Sequence, residues 1–217
     1  MVLVDKTILE DALKKALERS GKRKFKQSVE MIIVLRDFDP KSPEGRIREI
    51  VFLKKGLGKK QNICVVAEGD MALKAKDSGA YMVLSREDLQ ELQGNRKKAK
   101  KIAEACDWVL VRTDLMALAG RTLGPALGPR GKIPVPVPPN ADISSFIKRY
   151  ENAVIVRVKD QPQIMCRIGT EDMGIKDLVE NAETILSVLE GKIRGPYNIE
   201  KIIFKTTMGT PVVVTPR

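Results

Sequence analysis

The chain has 217 residues, 43% of them apolar, with 39 Lys or Arg against 28 Asp or Glu and a net charge of +11. That is enough chain for one large or two small domains with a real core, and the composition is that of neither a disordered tail nor a membrane protein. Its longest apolar runs, such as Met31 to Leu35, are far short of the roughly 20 residues a spanning helix needs, and Asp5 cuts the apolar start before it makes a secretory leader.

In chain order, Ile8, Leu9, Ala12, Leu13, Ala16 and Leu17 repeat at helical spacing over Asp5–Arg19, and Ser20-Gly21 stops the helix. From Ser28 the period becomes two, with Val29, Met31, Ile33 and Leu35 on one side, until the turn-rich stretch Asp39 to Gly45. Ile47–Leu53 and Asn62–Ala67 read as strands around the basic turn Lys54 to Lys60. Helices and short strands then alternate: Met71–Ser78, Tyr81–Leu84, a helix opened by Ser85 with Asp88 three residues on, Arg96–Ala105, and Asp107–Arg112. That alternation indicates a small parallel α/β layer. Gly120 to Pro139 is so dense in proline and glycine that no regular element is expected there. A helix over Ile143–Tyr150, strands at Ala153–Val158 and Gln163–Ile168, an amphipathic helix through Leu178 to Leu189, and strands at Ile199–Thr206 and Val212–Thr215 complete the pattern.

The texture at the two ends is alike and the middle differs. The reading is therefore a two-domain α+β and α/β protein. Residues 1–67 plus 156–217 form a split α+β sandwich domain, and residues 68–155 an inserted Rossmann-like α/β domain, joined by two hinge connections.

Chemistry is constrained most by the absence of histidine, which removes Ser-His and Cys-His dyads and the histidine-bearing zinc motifs. Cys64, Cys106 and Cys166 form no CxxC and lie in apolar surroundings, so they read as reduced, buried core thiols, and no metal or cofactor is expected. Gly56-Leu57-Gly58-Lys59-Lys60 has neither Walker A nor GxGxxG spacing. Glu171-Asp172 reads as acids at a helix start. The Gly124 to Lys132 stretch is either an anion-binding loop or a rigid structural one.

Charge is concentrated. Residues 22–60 carry twelve Lys or Arg against five Asp or Glu, whereas 68–155 carry 14 against 11 and 156–217 nine against eight. A localised basic segment marks either a polyanion partner or a solvated surface. Lys205-Thr206-Thr207-Met208-Gly209-Thr210-Pro211 breaks a β pattern with hydroxyls, a thioether and a glycine. It is a plain turn, or a patch of donors and acceptors on which a ribose can lie.

Four segments then carry a resemblance: Lys24-Phe25-x-x-Ser28-Val29-Glu30, Leu53-x-x-Gly56-Leu57-Gly58-Lys59, Leu123-Gly124-Pro125 with Gly128-Pro129-Arg130-Gly131-Lys132-x-Pro134, and Thr207-Met208-Gly209. In this order, over nearly the whole chain, they resemble the large-subunit ribosomal protein one (L-one) family in its archaeal form. The resemblance implies a split RNA-binding domain with a Rossmann-like insertion that holds no dinucleotide. It implies binding to large-subunit rRNA at the mobile stalk near the tRNA exit site, repression of translation through the protein's own mRNA, and contact with exit-site tRNA. It further implies a protein of the large ribosomal subunit, cytoplasmic, monomeric when free and off the membrane. By motif match the RNA site falls on Lys24, Phe25, Ser28, Glu30, Thr207, Met208 and Gly209, with Arg46, Arg48 and Asp160 as further contacts. Ser28 keeps the hydroxyl of the threonine common there. The rival class is a nucleotide-dependent enzyme using the α/β insertion.

Overall fold

A computed structural model describes residues 4–42, 45, 47–193 and 199–216. The chain begins with helix α1 (Lys6–Glu18) and strands β1 (Ser28–Leu35), β2 (Arg48–Phe52) and β3 (Ile63–Val66). It continues through α2 (Asp70–Asp77), β4 (Met82–Leu84), α3 (Arg86–Leu92), α4 (Arg96–Ala105), β5 (Trp108–Arg112), α5 (Met116–Thr122), α6 (Gly124–Leu127), β6 (Val135–Val137) and α7 (Ile143–Tyr150). The last elements are β7 (Ala153–Arg157), β8 (Gln163–Thr170), α8 (Ile175–Glu190), β9 (Ile199–Thr206) and β10 (Val212–Val214). The result is a mixed α/β protein with several sheets.

Contacts divide the chain into residues 1–59 with 152–217, and residues 60–151. This corrects the expected boundaries at 67/68 and 155/156. Ile63–Val66 pairs in parallel with Met82–Leu84 and Trp108–Arg112, so it belongs to the inserted unit. A cut at 155 would split β7, which pairs residue for residue with β2 from Arg48↔Arg157 to Phe52↔Ala153.

In the first unit an antiparallel sheet runs in the order β10-β9-β1-β8, beside the two-stranded β2–β7 ribbon. Burial along β1 alternates perfectly: Val29, Met31, Ile33 and Leu35 are buried, whereas Ser28, Glu30, Ile32 and Val34 are only half-buried. The inward set joins Phe204, Ile164 and Ile168 beneath α1 (Leu9, Leu13, Ala16) and α8 (Leu178, Ala182, Ile185, Leu189). Period two in the strands and 3.6 in the helices thus converge on one core, and the opposite face of the sheet stays open.

In the second unit the parallel sheet has the order β4-β3-β5-β6. Every residue of β3 is buried, as are the first four of β5. Cys64, Val66, Val109 and Val111 pack on α3 to α6 through Leu89, Leu92, Ala99, Ala119 and Leu127. On α2 and α7, Ala75 and Ile147 are buried too, and the hydroxyls of Ser78 and Ser144 meet at 2.6 Å. Helix α3 starts with the Ser85–Asp88 capping box read from the sequence.

Two expectations fail here. The Gly120–Pro139 stretch is regular in part: it supplies the end of α5, α6, a 3-10 turn at Gly128–Arg130 and the edge strand β6. Proline is tolerated in each place, since Pro125 and Pro129 sit in first turns, where φ is already right, and Pro136 lies on an edge strand. Second, Cys64 and Cys106 are not thiols but a disulfide, with Cα atoms 5.7 Å apart. Parallel pairing sets Cys64 opposite Val109 and so brings it next to the residue that ends α4. Cys166 remains a free, buried thiol, pushed up to about 12 by burial.

Candidate nucleic-acid interface

Strand β1 begins and β9 ends at the same edge of the first unit, so the two distant motifs become neighbours. Ser28 N–H donates to Thr207 Oγ1 at 3.1 Å, and Thr207 N–H donates to Ser28 carbonyl at 3.0 Å, across 179 residues of sequence. Met208 N–H donates to Gln27 Oε1 at 3.0 Å. The backbone of the Thr207-Met208-Gly209 turn is therefore pinned to residues 27 and 28. The Met208 side chain is left in solvent, 58% exposed, and Phe25, two residues before Gln27, is 51% exposed. Two large apolar groups held in solvent beside exposed Lys24 lack any core-filling reason.

Gln27 was not singled out by sequence, yet it organises this corner. It is wholly buried, and its Nε2 donates to Ser20 Oγ (2.7 Å), Gly21 carbonyl (3.1 Å) and Glu171 Oε2 (3.0 Å). Its backbone N–H reaches Glu171 Oε1 at 2.9 Å. Only one amide orientation satisfies the set, because Met208 N–H needs an acceptor and the other partners are acceptors. A lone polar residue ahead of a strand gives no sequence signal of such a role.

Other residues hold the same corner. Lys26 pairs with Asp172 at 2.5 Å and donates to Gly58 carbonyl at 2.9 Å. The Lys26 ammonium and the Thr170 hydroxyl hold the Asp172 carboxyl below its ordinary range. Glu171 and Asp172, read as helix-start acids, thus tie the loop before β1 instead. Gly58 has a φ of +67°, and a Cβ there would run into Thr170 Oγ1 and Met173, so the glycine turn is shaped by packing. Gly209 is similarly constrained: a Cβ would collide with Thr206 Oγ1 and approach Ser20.

Glu30, on the open sheet face, lies opposite Lys205 on one side and Arg167 on the other. The Lys205 ammonium is 3.5 Å from its carboxylate and donates to Thr207 carbonyl at 3.2 Å. A carboxylate between cations can accept hydrogen bonds from ribose hydroxyls or base amino groups without facing bare phosphate.

The predicted residues do not all gather here. Ser28, Glu30, Thr207, Met208 and Gly209 gather at this corner through Gln27 and Lys205, and Lys24 and Phe25 lie three and two residues ahead of Gln27 in the chain. Asp160 precedes β8 at its far end, where Gln163 pairs with Val34, about 20 Å along β1 from Ser28 at strand rise. Arg48 pairs with Arg157 near that end. With Lys159, Gln163 and Met165, Arg157 and Asp160 line a hollow of about 330 Å³. Burial first and the Arg157 charge second lower Arg48 from its ordinary value, so this end also holds a crowded cationic pair. Arg46 lies outside the described residues.

The rival nucleotide reading meets a closed door. Open parallel sheets take nucleotides where strand order reverses, outside the carboxyl ends. Between β3 and β5 that place is filled by Arg112, 2.6 Å from Asp114 and 3.1 Å from Glu68, with Arg86 3.3 Å from Glu68. The Arg112 hydrogen bond holds Asp114 below the usual carboxylate range. Among the described residues no helix is long and apolar enough to cross a membrane, and no group of three or more His, Cys, Asp or Glu is placed to hold a metal.

A basic surface that carries hydroxyls, a ring and a thioether has the chemistry of a binding surface. The chain belongs to the ribosomal protein L1p/L10e family, whose model matches residues 13–210. It is 63% identical to a Staphylothermus marinus protein over 99% of both chains, and 59% identical to one from Hyperthermus butylicus over the same shares. It is 55% identical to one from Aeropyrum pernix over 95% of this chain and 94% of that one. Each of the three is named large ribosomal subunit protein uL1. The chain is a ribosomal protein and not an enzyme, with archaeal relatives.

Proposed function

We propose that the chain is a constituent of the large ribosomal subunit, on the cytoplasmic ribosome, and grips large-subunit rRNA with the corner where β1 starts and β9 ends. The names of its relatives support the assembly. The observation that carries the grip is the pinning of Thr207 and Met208 onto Gln27 and Ser28, which leaves Met208 and Phe25 exposed on a rigid base. Recognition then has two parts. Lys24 and the basic stretch around it attract phosphate with release of counterions, which is salt-sensitive. Phe25, Ser28, Glu30 and Thr207-Met208-Gly209 form a shaped, partly dry patch that reads 2′-hydroxyls and base edges. Arg48 and Asp160, at the other end of the strands, are the ends of a longer track, and Arg46 belongs to the same basic block.

In this reading the rRNA element is the mobile stalk near the tRNA exit site, exit-site tRNA is a second contact, and a like fold in the protein's own mRNA recruits the free monomer as a repressor. The split unit supplies most of the affinity and the inserted one less. Met208→Asp tests the account, because an exposed side chain can be charged without touching the core. Binding to large-subunit rRNA should fall by about 100-fold or more at fixed salt, within the specific-to-nonspecific range, while the melting curve is unchanged. Unaltered affinity would remove the patch from the account.

A further inference from the structure

The second unit holds a cleft that the rRNA-binding reading does not use. It measures about 480 Å³ and lies where the start of α4 meets the end of α5 and the start of α6. Four of its lining residues are cations, Arg96, Lys100, Arg121 and Arg130, set among apolar Ala99 and Pro125, and no acid lines it. Arg130 is satisfied by Glu104 at 2.6 Å and by Ala126 carbonyl at 2.9 Å. Arg96, Lys100 and Arg121 make no salt bridge among the described residues.

The placement of these charges runs against helix stability. The first turn of α4 is Arg96-Lys97-Lys98 with no acid, at the end where the helix dipole is already positive. Arg96 and Lys100 are also four apart on one face, a like-charge pair. Helix α3, just before it, follows the opposite rule, with Glu87 and Asp88 in its first turn. An anion in the cleft would relieve both conflicts, gaining from the helix end and from three side-chain cations together. The place where a parallel sheet ordinarily binds phosphate is meanwhile closed by Arg112, Glu68 and Asp114.

We propose that this cleft is a phosphate site of the inserted unit, holding phosphate esters either from a second RNA segment or from a free polyphosphate or nucleotide. Guanidinium forks suit phosphate oxygens, and the apolar Ala99–Pro125 wall leaves room for a sugar or base beside them. The site is separate from the Phe25–Met208 patch. Only its RNA arm rests on the rRNA reading, and Met208→Asp, with the cleft intact, tells the two failures apart.

The test uses the full chain in three forms: the natural protein, R96Q/K100Q/R121Q, and K97Q/K98Q/K101Q, which removes equal charge from the same helix outside the cleft. All six side chains are exposed, so both variants should melt like the parent. Inorganic tripolyphosphate is titrated calorimetrically, and large-subunit rRNA binding is followed against salt. A free ligand as the source predicts that tripolyphosphate affinity falls about tenfold in the cleft variant alone, as charge-assisted bonds are lost. An RNA source predicts instead that the salt slope falls by up to about three, one per phosphate contact, in the cleft variant alone. If neither titration distinguishes the cleft variant from the off-cleft variant, the cleft is not a phosphate site.

Discussion

The two four-stranded sheets of this molecule are built from similar residues and expose opposite things. The antiparallel sheet is covered on one face by α1 and α8, so every second residue of β1 looks outward, and Ser28 and Glu30 can work from within a strand. The parallel sheet is buried throughout β3 and most of β5, so the positions of its two central strands are almost all core. Anything functional there has to sit at helix ends and loops, which is where Arg96, Arg121 and Arg130 are found. A sheet with one open face can carry a surface in its strands; a sheet covered twice delegates that to its connections.

The largest effect that would break this contrast is loss of a unit. Deleting residues 60–151 with a short linker between Lys59 and Asn152 should leave a folded first unit that still binds rRNA. Deleting 68–155 instead should aggregate. It strands the wholly apolar Ile63–Val66 without its parallel partners and removes three of the five residues of β7. Soluble yield and circular dichroism separate the two, and equal behaviour would show that β3 is not integral to the parallel sheet.

The disulfide comes next. Cys64 and Cys106 enclose a separation of 42 residues, and chain entropy puts such a link at up to about 4 kcal/mol. C64S/C106S should lower the unfolding free energy of the second unit by that order and leave rRNA binding by the first unit unchanged. Alkylation of the native protein should label nothing, since Cys166 is buried with its thiol pushed up to about 12. Ready labelling of two cysteines would show the bond absent.

What the sequence made legible follows from range. Period-two and 3.6 patterns placed α4, α7 and β9 at their observed limits and β1 at its observed start, because burial on one face writes itself into consecutive residues. The helices and edge strand within Gly120–Pro139 were hidden because proline counts against regularity unless its position in the first turn or on an edge is known. The Cys64–Cys106 bond depended on a parallel pairing that no local pattern encodes, and the same pairing moved the domain boundary. In the candidate site, Met208 was legible as a thioether breaking a β pattern, and Phe25 only through the family resemblance. Gln27 and Glu171 were not, since a buried polar hub looks like any loop residue until its partners are brought together. Arg48 and Asp160 were expected in the same site, but the strand direction puts them at the opposite end of β1 from Ser28.

Gln27 offers a middle-sized test of how the open sheet is served by its edge. Gln27→Leu keeps the volume but takes a side-chain donor from Glu171 Oε2 and the acceptor from the Met208 amide, while the backbone bond to Glu171 Oε1 stays. The cost should be about 2–3 kcal/mol in first-unit stability, the scale for orphaning buried partners of a charged group. rRNA affinity should fall as well, because Met208 loses its anchor while keeping its side chain. Gln27→Glu, which keeps an acceptor for Met208 but sets a second acid against Glu171, should restore neither. Stability lost with unchanged affinity would confine Gln27 to packing.

The smallest effect separates two adjacent lysines in the basic turn. Lys55 is occupied: its ammonium lies 3.5 Å from Asp177 and 3.6 Å from Glu180, and its backbone N–H donates to Asn181 Oδ1. Both acids belong to α8, so this lysine ties the turn to the helix that covers the sheet's inner face. Lys54 is exposed with no salt bridge among the described residues. Lys54→Ala should therefore lower the salt slope of rRNA binding by about one unit and leave stability alone. Lys55→Ala should leave the slope alone and cost a few tenths of a kcal/mol, since the pair is more than a third exposed and screened by solvent. The reverse outcome would move the phosphate-facing side of the turn onto the residue that packs against α8, and with it the direction in which RNA approaches the first unit.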